Sequence, residues 1–140
     1  MDDLDRRILA AWATDARRSL RDIAAEVGVS PTTVHDRARA LQRSGVIRGA
    51  HLDLDLGQLD RGVQALIAVR IRPPSRSNIE SFRDWVRELP ETVGVFVTSG
   101  RADFMAHVAV SSNDDLYAFV IDRLTARAEI ADVETSVIYE

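Results

Sequence analysis

The sequence predicts an α+β chain in two parts, helical to about residue 49 and mixed strand and helix from residue 63 onward. Three observations carry this. Apolar residues recur at helical spacing through residues 3–44. The pattern then switches to strict alternation after residue 50, and from Val63 it follows the order β-α-β-β-α-β. A chain of 140 residues has room for two small domains, and 46% apolar residues are enough to build a core, which excludes wholesale disorder.

Leu4, Ile8, Ala11 and Trp12 share one helical face, so residues 3–14 are predicted as an amphipathic helix. Ser19 caps a second helix with Asp22 three positions on; Ile23, Ala24 and Val27 are its buried side, and Gly28 ends it at a left-handed turn. Ser30-Pro31 restarts a third helix, because serine caps well and proline is tolerated in the first turn. That helix buries Val34, Ala38 and Leu41 and runs to Ser44, where Gly45 stops it. His51–Leu56 alternates strictly and predicts an early strand with outward acids Asp53 and Asp55, followed by a hinge over Gly57–Gly62.

Val63, Ala65, Ile67, Val69 and Ile71 then alternate as a strand that Pro73-Pro74 terminates. A helix over 78–89, a strand over 93–99 and a strand over 104–111 follow, the last with Phe104, Ala106, Val108 and Val110 on one face. A helix over 113–125 and a strand from Val133 to Tyr139 complete a ferredoxin-like β-α-β-β-α-β unit. The expected organisation is a helical domain at 1–49, a strand and hinge linker at 50–62, and a second domain at 63–140.

Charge separates the two parts. Net charge is −4, yet residues 17–48 hold seven Arg against three acids, while residues 49–140 hold nine Arg against fifteen acids. A locally basic helical module on an acidic body suits a nucleic-acid reader. All 18 basic residues are Arg, a usage read as genome composition rather than function, although the forked guanidinium does suit phosphate. The acidic N-terminus does not read as a secretory signal, no apolar run spans a bilayer, and the absence of cysteine excludes disulfides and thiolate metal sites; a cytoplasmic protein is expected.

The second and third helices meet the steric needs of a winged-helix-like helix-turn-helix between Leu20 and Ser44. Ala24 is small enough for close approach, Gly28 accepts a positive φ, and Val34 is the branched anchor. The outward side of the third helix then presents Thr32, Thr33, His35, Arg39 and Arg43, with Arg37 at its edge and Ser30 at its start, toward phosphates and base edges. Asp36 lies among them and would repel phosphate; it either accepts from a cytosine amino group or, the expected role, pairs with Arg39 or Arg43. The alternative is a three-helix unit whose polar face is simply solvated.

Asp2-x-x-Asp5-Arg-Arg-Ile8-Leu9, Ile23-Ala24-x-x-Val27-Gly28-Val29-Ser30-Pro31-Thr32, Arg37, Leu41 and Ser44-Gly45-Val46-Ile47-Arg48-Gly49 resemble the N-terminal domain of the leucine-responsive regulatory protein/asparagine regulator (Lrp/AsnC) family. The remainder resembles that family's ligand-sensing domain, with Gly100-x-x-Asp103 at its glycine-to-aspartate loop. The resemblance implies a transcriptional regulator that binds double-stranded DNA and dimerises through its sensing domains, with homodimers assembling further, commonly to octamers. It also implies a small-molecule effector, often an amino acid in this family, bound by Thr98, Ser99, Gly100, Arg101, Asp103, Thr135 and Ser136. Asp103 would take its ammonium and backbone near Gly100 its carboxylate. The family often has an aromatic residue before the aspartate, where this chain has Ala102. Without the resemblance, Gly100–Asp103 reads as a hairpin turn.

No other site stands out. His35, His51 and His107 are too scattered for a metal motif, and no nucleophile elbow or phosphate-binding glycine pattern occurs, so no cofactor and no metal are expected. A small ferredoxin-like enzyme with helices that merely dimerise is the second reading, disfavoured by the lack of a catalytic constellation.

Overall fold

In a computed structural model of the chain, residues 1–139 are described. The chain divides into two compact units, Met1–Asp53 and Leu54–Glu140.

The first unit holds α1 (Asp3–Ala13), α2 (Leu20–Val27) and α3 (Pro31–Arg43). Each starts on a side chain that satisfies an orphan amide. Asp2 accepts from the Asp5 amide while Asp5 accepts from the Asp2 amide, a reciprocal capping box. Ser19 and Ser30 cap α2 and α3 through the amides of Asp22 and Thr33. Gly28, at φ +75°, turns the chain between α2 and α3 and donates to the Ala24 carbonyl at 2.9 Å. The three helices bury Ile8, Ala11, Ile23, Ala24, Val27 and Val34 together. No two-stranded wing follows α3 among the described residues.

The alternation over His51–Leu56 does not produce a strand. Residues 48–55 carry no regular element and Leu52 is 82% exposed. A strand needs a neighbour to take its backbone hydrogen bonds, and none of this chain's strands pairs with it. Asp55, expected on an edge strand, instead accepts from the amides of Gly57 and Gln58 at 3.0 and 3.2 Å and opens a 3-10 turn at Gly57–Leu59.

The second unit holds β1 (Val63–Ile71), α4 (Arg76–Arg87), β2 (Thr92–Val97), β3 (Phe104–Val110), α5 (Asn113–Ala118) and β4 (Ile130–Ile138). The strands form one antiparallel-paired sheet in the order β2-β3-β1-β4. The period-two residues Ala65, Ile67, Val69 and Ile71 of β1 meet Phe104, Ala106 and Val108 of β3 on one face, under Phe82 and Val86 of α4 and Leu116, Phe119 and Leu124. Phe82 and Phe104 stack with ring centroids 4.8 Å apart.

The helix expected over 113–125 changes register midway. After Ala118 it becomes a π-helical turn, Phe119–Leu124, with the Thr125 amide reaching the Val120 carbonyl at 3.0 Å. β4 also begins three residues earlier than the alternation indicates, because Ile130 re-pairs with Ile71 past a bulge after Arg70.

The opposite sheet face is different. Register places Leu66 and Ala68, Met105 and His107, Phe96, and Glu134, Ser136 and Ile138 on it. Phe96 is 61% exposed there, and the imidazole Nε2 of His107 lies 2.9 Å from Gln64 Oε1.

Candidate nucleic-acid interface and effector site

α3 has one buried stripe, Val34, Ala38 and Leu41. At 3.6 residues per turn, Thr32, His35, Asp36, Arg39 and Arg43 fall on the opposite side and Thr33 and Arg37 at its flank. Thr32, His35, Arg39 and Arg43 are exposed. Ser30 and Thr33 are engaged locally: their hydroxyl oxygens lie 2.8 Å apart while Ser30 also caps the helix. Asp36 does not pair with Arg39 or Arg43; its partner is the adjacent His35, 3.4 Å from Nδ1 to Oδ1. The one-residue neighbour wins over a long arginine, which loses rotamer freedom when it is pinned.

Arg37 has a further role. Its Nη1 donates to Asp2 at 2.5 Å and to the buried Asp5 at 3.2 Å, joining the middle of α3 to the start of α1. The Asp2 carboxyl is held below the usual carboxylate range, first by the Asp5 amide and then by Arg37. Arg37 in turn is raised above its ordinary value by Asp2 and then Asp5. Its guanidinium is thus committed to orienting α3, which bears the exposed residues.

In the second unit, Thr98–Asp103 forms the β2–β3 hairpin, with Gly100 at φ +119°. The Thr98 amide donates to the Asp103 carbonyl at 2.9 Å and the Thr98 hydroxyl to the Ala102 carbonyl at 2.9 Å. Asp103 Oδ2 accepts from the Ile71 amide at 2.7 Å, where the β1–β4 ladder shifts, and lies 3.5 Å from Arg72. The Arg70 fork donates to the Arg101 carbonyl at 2.9 and 2.5 Å. Thr135 and Ser136 are elsewhere: they sit on β4, opposite Ile67 and Leu66. Three strand spacings separate β4 from β2, about 14 Å. Within one chain, then, Thr98, Ser99, Gly100, Arg101 and Asp103 are brought together and Thr135 and Ser136 are not.

These two arrangements match known proteins along the whole chain. An AsnC-type helix-turn-helix domain model matches residues 1–42, and the Lrp/AsnC ligand binding domain model matches residues 64–140. The chain belongs to the Lrp/AsnC family. It is 41% identical over 140 residues to the HTH-type transcriptional regulator AldR of Mycolicibacterium smegmatis, covering all of this chain and 82% of that one. Among solved structures it resembles AsnC of Escherichia coli, with a TM-score of 0.86 and 29% identity over 100% of this chain and 93% of the other. It also resembles a Neisseria meningitidis transcriptional regulator solved as an L-Met complex, with a TM-score of 0.91, 25% identity and coverage of 100% and 90%. The family and these relatives make the chain a DNA-binding transcriptional regulator and not an enzyme.

Some functional residues escape sequence reasoning. Asp2 and Asp5 carry family spacing, and their three-residue separation is itself the capping-box signal, but nothing local links them to Arg37. Arg70 and Arg72, which hold the hairpin, show no signal beyond their charge.

Proposed function

We propose that this regulator acts as a homodimer that assembles into larger oligomers, reads double-stranded DNA with α3 of each copy, and responds to an amino acid taken up near Gly100–Asp103. The observation that carries this reading is the uncovered sheet face, with Leu66 37% and Phe96 61% exposed beside Met105 and Ile138. Exposed apolar patches of this kind mark association surfaces, and a two-fold axis lets identical patches meet. Two α3 helices so related would enter successive major grooves about 34–36 Å apart.

The hairpin supplies the polar groups for the effector. Asp103 Oδ2 is engaged by Ile71 and Arg72, so Oδ1, the Ser99 hydroxyl and backbone around Gly100 are the groups left to it. Thr135 and Ser136, which lie apart from the hairpin within one chain, would join that site from a second copy, and this supports an effector bound between copies. The relative solved with L-Met supports an amino acid as its class. We place the regulator in the cytoplasm, working without cofactor or metal; no helix among the described residues is long and apolar enough to cross a membrane.

The test is fluorescence anisotropy on DNA from upstream of the chain's own coding region, across a salt series, beside sedimentation of the free protein. Binding that weakens steeply with salt and a dimer or larger species are the expected results. No binding to any fragment at low salt, or a monomer at every concentration, overturns the reading.

A further inference from the structure

At the end of the sheet away from the hairpin lies a cleft of about 550 Å³, between the segment before β1, the α4–β2 turn and the α5 side. β3 spans the distance between the two, with Phe104 at the hairpin end and Val110 at the cleft; six residue steps make this about 20 Å. The cleft is within the range of small-molecule sites, about 300–1,000 Å³. Its floor is apolar: Ala109, Val110 and Phe119 are buried.

Both signs of charge line it. Arg61 donates through Nε and Nη2 to the Ala109 carbonyl, both at 3.1 Å, and through Nη2 to the Pro90 carbonyl at 2.7 Å, which leaves Nη1 for another acceptor. Arg123 is committed to Glu91 at 3.0 Å. Asp115 spends Oδ2 on the Ser112 hydroxyl at 2.7 Å, and Asp122 has no side-chain partner among the described residues. Asp122 and Phe119 both come from the π-helical turn, a rare conformation that is frequent at functional sites.

We propose that this cleft is a second effector site, separate from the hairpin, for a small zwitterion such as an amino acid. A ligand with negative charge alone meets Asp115 and Asp122, and one with positive charge alone meets Arg61. A zwitterion satisfies both, its carboxylate on Arg61 Nη1 and its ammonium at Asp115 and Asp122, with its side chain over the floor. Arg61 also ends the linker before β1, and its bonds to Pro90 and Ala109 anchor that linker. A ligand drawing on the same guanidinium therefore acts on the segment that leads in sequence to the DNA-binding unit.

The experiment is calorimetric titration of the full chain with each of the twenty L-amino acids at up to 10 mM. The amino acid that binds is then compared with its deaminated acid and its decarboxylated amine. Asp122→Asn, whose side chain supports no contact of the fold, and Asp115→Asn/Asp122→Asn are run beside Ser99→Ala in the hairpin. The expected result is that the double variant weakens one class of site at least tenfold or removes one equivalent per chain, that Ser99→Ala leaves that class intact, and that neither the acid nor the amine replaces the zwitterion. An isotherm unchanged by the double variant but altered by Ser99→Ala overturns the cleft site and leaves the hairpin reading standing. Equal binding of the acid or the amine alone overturns the zwitterion. Absence of binding by any amino acid overturns both sites.

Discussion

Arg37, in the middle of α3, lies 2.5 Å from Asp2, the residue that caps α1. The ion pair spans 35 positions of sequence and ties α3 to the first turn of α1. Removing it acts on orientation rather than on phosphate charge. Arg37→Ala is expected to weaken DNA binding alike for all sequences while leaving the slope of affinity against salt unchanged. Arg39→Ala and Arg43→Ala, each exposed, are expected to reduce that slope by about one for every phosphate that is no longer neutralised. Anisotropy at four salt concentrations separates the two behaviours.

The same ion pair sets an acid limit. Asp2 is depressed in the folded chain, so the stability it contributes is present above its unfolded value, about 3.9, and is lost as pH falls through the folded one. Melting followed from pH 6 to pH 2.5 is expected to fall more steeply for the unmodified chain than for Asp2→Asn. Parallel curves would show that the pair contributes nothing.

His35 is exposed on α3 beside Asp36. His35→Ala is expected to change which operator variant is preferred, with little change in affinity for unrelated DNA, because base-edge contacts specify while phosphate contacts position. Selection of binding sites from a random pool reads this directly.

Asp103 holds the Ile71 amide at the end of β1. Asp103→Ala strips that amide of its acceptor and is expected to cost about 1–3 kcal/mol of stability by denaturant unfolding. Asp103→Asn keeps a carbonyl oxygen in place and should recover most of it. A stable Asp103→Ala variant that had lost only effector response would instead assign the carboxylate wholly to the ligand.

Leu66→Glu and Phe96→Glu place charge on the open sheet face without touching the buried one. Both are expected to shift sedimentation toward the monomer at micromolar concentration with the fold's circular dichroism retained.

The element order was legible from periodicity and caps. Ser19, Ser30, Pro31 and Gly28 mark the ends of α2 and α3 because a cap acts on amides three residues away or less. Val63–Ile71 and Phe104–Val110 read as strands because alternate burial leaves a period of two. The same signal misled at His51–Leu56, where alternation exists but the partner strand does not.

What the sequence by itself determined is thus the local part: a helix-turn-helix followed by an α+β sensing domain, with a basic α3 face and a hairpin at Gly100–Asp103. Tertiary structure alone decided which charges are free. It committed Arg37 to Asp2 and Asp5, Asp103 to Ile71, and set Thr135 and Ser136 on β4, with β1 between them and the hairpin. The physical reason is range. Burial patterns and caps act over a few residues and are written in spacing, whereas an ion pair or a shared site depends on which surfaces packing brings within about 3 Å.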